Sequence, residues 1–141
     1  MKEIKYNSET TFEDIKHIDE YGNQYWLARD LQKKLEYKEW RKFDGVIEKA
    51  KDTCNNSAIN VYDHFVEVAK MVNIGSGAMR KQKDYKLTHY ACYIIAQNGD
   101  SRKEPIALAQ TYFAIQTRKQ ELTEKEYNDL MTGVNGSVEY E

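Results

Sequence analysis

The stretch YACYIIAQNGDSRKEPIALAQTYFAIQTRKQEL, residues 90–122, decides the fold of this chain. Its apolar residues recur at three- and four-residue spacings on either side of a polar centre, which predicts two amphipathic helices. Thr88 is the expected N-cap of the first helix, Asn98 and Gly99 signal its end, and Pro105 suits the first turn of the second. The apolar face of the second helix contains Ile106, Leu108, Ala109, Tyr112, Phe113 and Ile115. So broad a face predicts burial against more than one neighbour.

The polar residues of this stretch do not indicate a catalytic or metal-binding site. Gln116 lies within the apolar face, where a structural hydrogen bond to backbone is favoured over a functional contact. Gln97 and Asp100 suit local bonds at the turn. His89 and Cys92 are three residues apart on one predicted helix, yet no second pair with metal-ligand spacing occurs. Because no nucleophile, base and orienting group occur together, we expect no enzyme, no metal site and no cofactor.

Upstream of this stretch, the sequence predicts a β-hairpin followed by a pair of helices. Residues up to Tyr25 are expected to be extended, with a Gly-Asn turn. Apolar spacing then predicts one helix through Leu27, Ala28, Leu31 and Leu35, and another through Trp40, Phe43, Val46, Ile47 and Ala50. Gly45 weakens the second helix and would admit a close backbone neighbour. Basic residues near the short connection give this pair the outline of a helix-turn-helix.

Two further segments separate the helix pair from the opening stretch. The composition of residues 54–60, CNNSAIN, predicts a loop. Residues 65–72 fit either a helix or a strand, whereas the β-branched residues and the Gly-Ser-Gly turn favour a hairpin for the part that follows. In a hairpin, residues 74–83 form a basic, glycine-rich tip that resembles the wing of a winged helix. It is not a Walker phosphate loop, because no Gly-Lys-Ser/Thr follows the glycines.

Length and composition limit the class of protein. The chain has 141 residues, enough for one domain, and 31% charged with 40% hydrophobic residues is typical of a soluble globular protein. No apolar run is long enough to cross a membrane, and the N-terminus carries no apolar segment typical of a secretory signal. Cys54 and Cys92 are too few for a disulfide framework and are expected to be buried. We therefore expect a cytoplasmic location and no membrane partner.

Positive charge is clustered although the net charge is −2. Such clusters attract phosphates even when acids elsewhere cancel the total, and a solvated surface is the alternative interpretation. The candidate nucleic-acid contacts are Lys33, Lys34, Lys38, Arg41 and Lys42 on the helix pair, Arg80, Lys81 and Lys83 at the glycine-rich tip, and Arg102 and Lys103 between the last two helices. Tyr37 and Trp40 could stack on exposed bases, but aromatic residues at helical spacing are more often part of a core.

Three runs together resemble the DNA-damage-inducible protein D family: HYACYIIAQNGDSRKEPIALAQTYFAIQTRKQEL, KMVNIGSGAMRKQKDYKLT and YWLARDLQKKLEYKEWRKFDGVIEKAK. The N-terminal half of that family is similar to the BRO-N domain of viral and phage antirepressors. The resemblance covers residues 10–123 and implies a single α+β domain of short helices and small β-hairpins, with winged-helix-like elements. Where this chain has His89 the family usually has an arginine, which puts a phosphate contact at that position in doubt.

The resemblance implies a noncatalytic DNA-binding regulatory domain, associated with the bacterial DNA-damage (SOS) response or with phage and lysogeny control. We predict a BRO-N-like domain over residues 1–123, and a tail or the start of a second region over residues 124–141. Duplex and single-stranded DNA remain open as ligands. The alternative function is a protein-interaction module that acts on a DNA-repair or recombination protein, for example a recombinase filament. Small residues on the last helix, Ala107, Thr111 and Ala114, would permit a homodimer.

Overall fold

The computed structural model describes the backbone of residues 12–140 and the side chains of residues 12–126 and 128–131. The elements in chain order are β1 (Lys16–Ile18), β2 (Gln24–Leu27), α1 (Ala28–Lys34), α2 (Trp40–Asn56), α3 (Val61–His64), β3 (Phe65–Gly75), β4 (Ala78–Leu87), α4 (His89–Gln97) and α5 (Glu104–Tyr140). One antiparallel sheet combines with these helices, in the strand order β1-β2-β4-β3. The predicted α+β class is confirmed.

β1 and β2 form the predicted N-terminal hairpin. Asp19 closes its turn, because Oδ1 accepts bonds from the backbone N–H groups of Tyr21 and Asn23, each at 2.9 Å. Gly22 has a φ of 86° in this turn, a conformation that glycine adopts without strain. The Gly-Asn signal in the sequence therefore marked the turn correctly.

The predicted extended segment before β1 is described only in part. Residues 1–11 lie outside the described part of the chain, and residues 12–14 form a helical turn. The turn buries Phe12, whose ring stacks on that of Tyr112 at 5.3 Å between centroids. The carbonyl oxygen of Phe12 also accepts a bond from the buried Trp26 indole at 2.9 Å. The prediction of extended structure at residues 12–14 is wrong, because these tertiary contacts outweigh local preference.

β3 and β4 form a long hairpin whose two ends differ in burial. Pairing runs from Phe65 opposite Leu87 at the root to Asn73 opposite Met79 near the turn. Phe65 and Leu87 are buried, whereas nearly every residue from 69 to 81 is exposed. The predicted hairpin is confirmed, and its ambiguous first half is a strand. At about 3.3 Å per residue, the exposed half extends about 20 Å.

The two helices predicted from the opening stretch are α4 and α5. α4 begins at Thr88, whose Oγ1 accepts a bond from the backbone N–H of Ala91 at 3.1 Å, and it ends at Asn98. Gly99 lets α5 approach closely, since a Cβ there would lie 2.8 Å from Cγ2 of Ile106. The buried apolar residues are Phe12, Trp26, Ala28, Leu31, Leu35, Phe43, Ile47, Ala50, Cys54, Val61, Phe65, Tyr85, Leu87, Ala91, Cys92, Ile94, Ile95, Ala96, Ile106, Ala109, Tyr112 and Phe113. Both predicted helices therefore contribute to one core.

The apolar face of α5 is narrower than the sequence predicted. Ala109 and Phe113 are buried, but Ile115 is 50% exposed. At about 100° per residue Ile115 lies about 160° around the helix from Phe113, so it cannot share the buried face. Gln116 is half-buried, and the neighbouring Thr117 is buried in its place. The prediction that Ile115 belongs to the core is wrong.

Both long helices extend further than predicted. α2 continues through Asn56, so the loop predicted at residues 54–60 occupies only residues 57–60. Cys54 is buried in the core, which favours continuation of the helix to this point. Gly45 has open space around its α-carbon, so the expected close backbone neighbour is absent among the described residues. α5 runs through the predicted tail to Tyr140. Within residues 12–140, no helix is both long and apolar enough to span a membrane.

Candidate nucleic-acid interface

The exposed half of the β3–β4 hairpin carries concentrated positive charge. Residues 69–83 contain Lys70, Arg80, Lys81 and Lys83 and no acidic residue, so the local charge is +4 in a chain of net charge −2. The structure therefore brings three predicted contacts onto one element and adds Lys70 from the opposite strand. Lys70 escaped the sequence analysis because it lies outside the run of basic residues that follows the glycines.

Strand geometry distributes these cations over both faces of the hairpin. Successive side chains of a strand point to opposite faces, and directly paired residues share a face. With Arg80 opposite Val72, Lys70 and Arg80 lie on one face, whereas Lys81 and Lys83 lie on the other. The run of basic residues is therefore not one flat patch. A ribbon with cations on both faces suits a groove that has phosphates along both walls.

The tip of the hairpin has a tightly defined turn. Gly75, Ser76 and Gly77 have φ values of 107°, 53° and 77°, all in the left-handed region. Oδ1 of Asn73 accepts a bond from the backbone N–H of Gly75 at 2.8 Å. Pairing shifts between Asn73 and Gly75, so Ile74 is the extra residue of a β-bulge. The bulge removes Ile74 from the strand ladder next to the turn.

Asp84 joins the root of the hairpin to α1. It is 3% exposed, and its Oδ1 accepts bonds from the backbone N–H groups of Arg29 at 3.0 Å and Tyr85 at 2.8 Å. Leu27 occupies the N-cap position of α1 and has no side-chain acceptor. A carboxylate from β4 therefore replaces the usual local cap, and its charge suits the positive end of the helix.

Arg29 connects three elements. Its Nε donates to the carbonyl oxygen of Lys83 at 2.9 Å, and its guanidinium carbon lies 3.9 Å from the ring centroid of Trp40 at the start of α2. Burial lowers the pKa of Arg29, an effect that the Asp84 and Asp44 carboxylates oppose. Arg29 lies in no basic cluster of the sequence, so only the packing of α1 against β4 reveals its role.

Tyr85 lies within a charged cluster between α2 and β4. Its hydroxyl accepts a bond from Nζ of Lys51 at 3.1 Å and lies 3.4 Å from Oε2 of Glu48. Nζ of Lys83 lies 3.3 Å from Oδ2 of Asp44. Hydrogen bonding to Tyr85, followed by the attraction of Asp44, raises the pKa of Lys83. Lys83 is therefore held against α2 and is less available to phosphate than the cations nearer the tip.

The first turn of α2 is basic. Arg41 and Lys42 are exposed there without an acidic residue, and Glu39 at the N-cap position makes no side-chain capping bond. Cations at the positive end of a helix dipole reduce helix stability, whereas the free N–H groups of that end attract anions. The basic residues of this turn therefore do not stabilise the helix, but they suit the binding of an anion.

The two aromatic residues considered for base stacking pack against the core instead. The rings of Tyr37 and Trp40 lie 5.0 Å and 6.1 Å from that of Phe43, between centroids. Trp40 also carries the Arg29 guanidinium on its face. Both rings are partly buried against the core, which agrees with the expectation for Trp40.

The predicted contacts near the end of α1 have acidic neighbours. Lys33 and Lys34 line a shallow cavity of about 310 Å³ together with Glu36 and Glu104. Lys38 is exposed on the connection to α2. No described contact joins these lysines to the hairpin, so their role in DNA binding stays a prediction.

Arg102 and Lys103 lie on the connection between α4 and α5. Nε and Nη2 of Arg102 each lie 3.0 Å from a carboxylate oxygen of Asp100. This pairing lowers the pKa of Asp100 to about 2. Both residues are exposed, and Arg102 is already paired with a carboxylate. A nucleic-acid contact at either residue stays a prediction.

A second, polar groove of about 530 Å³ lies beside the root of the hairpin, and Tyr25, His64, Lys86 and His89 are among its lining residues. Nδ1 of His64 lies 2.7 Å from Oγ1 of Thr88, the cap of α4. Burial lowers the pKa of both histidines. Across the described ranges, no three His, Cys, Asp or Glu residues are placed to hold a metal ion.

Comparison with known proteins identifies the family. Residues 14–114 match the family described as BRO family, N-terminal domain. The chain belongs to this family. It is also 52% identical over 115 residues to the DNA damage-inducible protein D of Escherichia coli (strain K12), across 82% of this chain and 42% of that protein. The chain thus spans less than half the length of this relative. No solved structure matches the chain.

The BRO N-terminal domain of this chain contains the whole basic hairpin and its supports. The matched residues 14–114 include the sheet, α1 to α4 and the first part of α5. Asp84, Arg29 and the basic first turn of α2 lie within these limits. The predicted boundary at residue 123 lies further along α5, beyond the matched residues.

Proposed function

We propose that this domain is a noncatalytic DNA-binding module with a regulatory role in the response to DNA damage or in phage control. The observation that carries the proposal is the exposed hairpin, whose residues 69–83 have a charge of +4 in a chain of net charge −2. Neutralising phosphates with such an element releases counterions, which favours binding. Membership of the BRO family and similarity to a protein named DNA damage-inducible support the regulatory role.

The hairpin and the start of α2 act together in this proposal. Lys70, Arg80 and Lys81 contact phosphates along the two walls of a groove, and the first turn of α2 binds a further phosphate near Arg41. Arg29 supports both surfaces, because it donates to β4 and covers Trp40 of α2. Contacts of this kind position DNA and do not specify its bases.

Fluorescence anisotropy with labelled duplex and single-stranded DNA at two salt concentrations tests the proposal. The hairpin variant carries Lys70→Ala, Arg80→Ala and Lys81→Ala. Its control carries Arg118→Ala, Lys119→Ala and Lys125→Ala, which remove the same formal charge from exposed positions of α5, where Arg118 and Lys125 pair with Glu121 and Asp129. Lys83 is left unchanged, because it also holds the hairpin against Asp44. We expect salt-sensitive binding that falls at least tenfold in the hairpin variant and much less in the control.

Two outcomes would contradict the proposal. Absence of binding even at low salt would exclude DNA binding by this domain alone. An equal loss of affinity in the two variants would show that net charge, and not the hairpin, governs binding. Circular dichroism of both variants would show whether each keeps the fold of the parent protein.

The second candidate function is binding of a DNA-repair or recombination protein, for example a recombinase filament on single-stranded DNA. Beyond the core, α5 exposes Leu122, Leu130 and Met131 to the extent of 43%, 67% and 57%. Apolar side chains on a helix that extends from the domain suit a protein partner. Changing Leu122 and Leu130 to serine should reduce binding to the filament and leave binding to free DNA unchanged. A homodimer and a cytoplasmic location stay predictions.

A further inference from the structure

The basic hairpin exposes large apolar side chains at Val66, Met71, Ile74 and Met79, and the last two flank its turn. Ile74 and Met79 lie on either side of the turn and are 55% and 53% exposed. Neither belongs to the hydrophobic core or packs against it. Apolar side chains held together at the end of a projecting hairpin gain free energy when a ligand covers them.

The backbone of the tip prepares Ile74 for contact. As the extra residue of the bulge, Ile74 has no partner position on β4. The bond from Gly75 N–H to Asn73 and the positive φ values of the turn hold the bulge in place. Bulges commonly re-aim one side chain at a functional position. The tip is therefore a shaped element, and its apolar side chain is presented in advance of binding.

The positive charge around the tip indicates which class of ligand would bind there. Arg80 follows Met79 directly, and Lys70 and Lys81 lie further down the same hairpin, with no acidic residue between positions 69 and 83. An apolar end on a cationic stem suits a ligand whose apolar interior lies between two rows of anions. Stacked base pairs between phosphate backbones have this arrangement.

We infer that the hairpin tip enters the minor groove of duplex DNA and wedges Ile74 and Met79 into a base step, which kinks the duplex. The inference rests on the proposed function and names the form of DNA that the domain acts on. Proteins that insert isoleucine or methionine in this way unstack the step and bend the helix by about 20–90°. Cations on both faces of the hairpin neutralise the phosphates of the two groove walls, which lowers the cost of bending.

Two fluorescence measurements on one duplex test the wedge. A donor and an acceptor at opposite ends report bending through energy transfer, and a central 2-aminopurine reports unstacking. The variant carries Ile74→Ala and Met79→Ala. The matched control is Val66→Ala, because Val66 is 46% exposed on the same hairpin but lies at its root. Anisotropy of the same duplex measures binding independently.

We expect energy transfer and 2-aminopurine emission to rise with the parent protein and with the Val66 variant. The tip variant should still bind, with at most a tenfold loss, while both signals stay at the values of free duplex. Binding of the parent protein without either signal would overturn the wedge and leave the proposed function intact. Bending by the tip variant equal to that of the parent would overturn it as well.

Binding to anionic vesicles is measured separately with the same variants. If the tip substitutions weaken vesicle binding but leave DNA bending equal to that of the parent, the tip binds lipid and the wedge is overturned. Absence of duplex binding would overturn the wedge, and absence of binding to single-stranded DNA as well would overturn the proposed function.

Discussion

Oδ1 of Asp84 lies 3.0 Å from the backbone nitrogen of Arg29, so a strand of the basic hairpin caps the first helix of the helix pair. The Arg29 side chain returns to the same strand through its bond to the carbonyl oxygen of Lys83. Two hydrogen bonds in opposite directions thus fix the hairpin relative to α1. Since Arg29 also covers Trp40, the start of α2 is held in the same arrangement.

Replacing Asp84 should destabilise the whole domain. Asp84→Ala leaves the part-buried N–H of Arg29 and the buried N–H of Tyr85 without their acceptor, which costs about 1–3 kcal/mol of unfolding free energy. Asp84→Asn keeps an acceptor oxygen and should cost less. Urea unfolding followed by circular dichroism measures both. Asp52→Ala, at an exposed position of α2, is the control and should change stability by less than about 0.5 kcal/mol. Equal effects at the two positions would contradict the capping role.

Replacing Gly45 or Gly99 with alanine should change the stability of the domain in opposite directions. Gly45 lies inside α2 with open space around it, so Gly45→Ala should stabilise the domain by about 0.5–1 kcal/mol through helix propensity. Gly99→Ala should destabilise it, because the new Cβ would lie 2.8 Å from the Ile106 side chain. Thermal unfolding of the two variants and the parent protein shows whether each substitution raises or lowers the unfolding temperature. A stabilised Gly99 variant would show that α5 can move away from the turn.

Stability should decrease as the pH falls below neutrality. Burial lowers the pKa of His64 and His89, so between the native and unfolded pKa values the unfolded chain binds protons that the native protein does not. Their contribution is complete above the ordinary value of about 6.5 and is lost as the pH falls through the lowered native values. Urea unfolding at pH 7.5 and 5.5 should show a larger loss for the parent protein than for His64→Gln with His89→Gln. Identical losses would rule out these histidines as the cause.

Single alanine substitutions on the hairpin should change the salt dependence of DNA affinity more at unpaired cations than at the ion-paired Lys83. Each phosphate contact adds about 0.9 to the slope of log affinity against log salt for duplex DNA. Arg80→Ala and Lys81→Ala should each lower the slope by about this amount, although they lie on opposite faces. Lys83→Ala should lower it less, because Lys83 is paired with Asp44. A loss for Lys83 equal to that for Arg80 would indicate that the ion pair opens on binding.

Much of the secondary structure and part of the candidate interface follow from sequence. The spacing of apolar residues between positions 90 and 122 predicted α4 and α5, and Thr88 caps α4 as expected. The basic residues beside the Gly-Ser-Gly turn were also recognised. These features depend on neighbours within a few positions along the chain, which is the range over which helix periodicity, capping and turn preferences act.

Other features required the tertiary structure. Strand register placed Arg80 and Lys81 on opposite faces, and ion pairing engaged Lys83 with Asp44, 39 positions away along the chain. The cap that Asp84 provides for Arg29 joins residues 55 positions apart. The sequence by itself therefore determined the principal helices, the hairpin turn and the charge of the candidate site. Only folding decided which of its cations face outward, because pairing and burial depend on residues that are distant in sequence and adjacent in space.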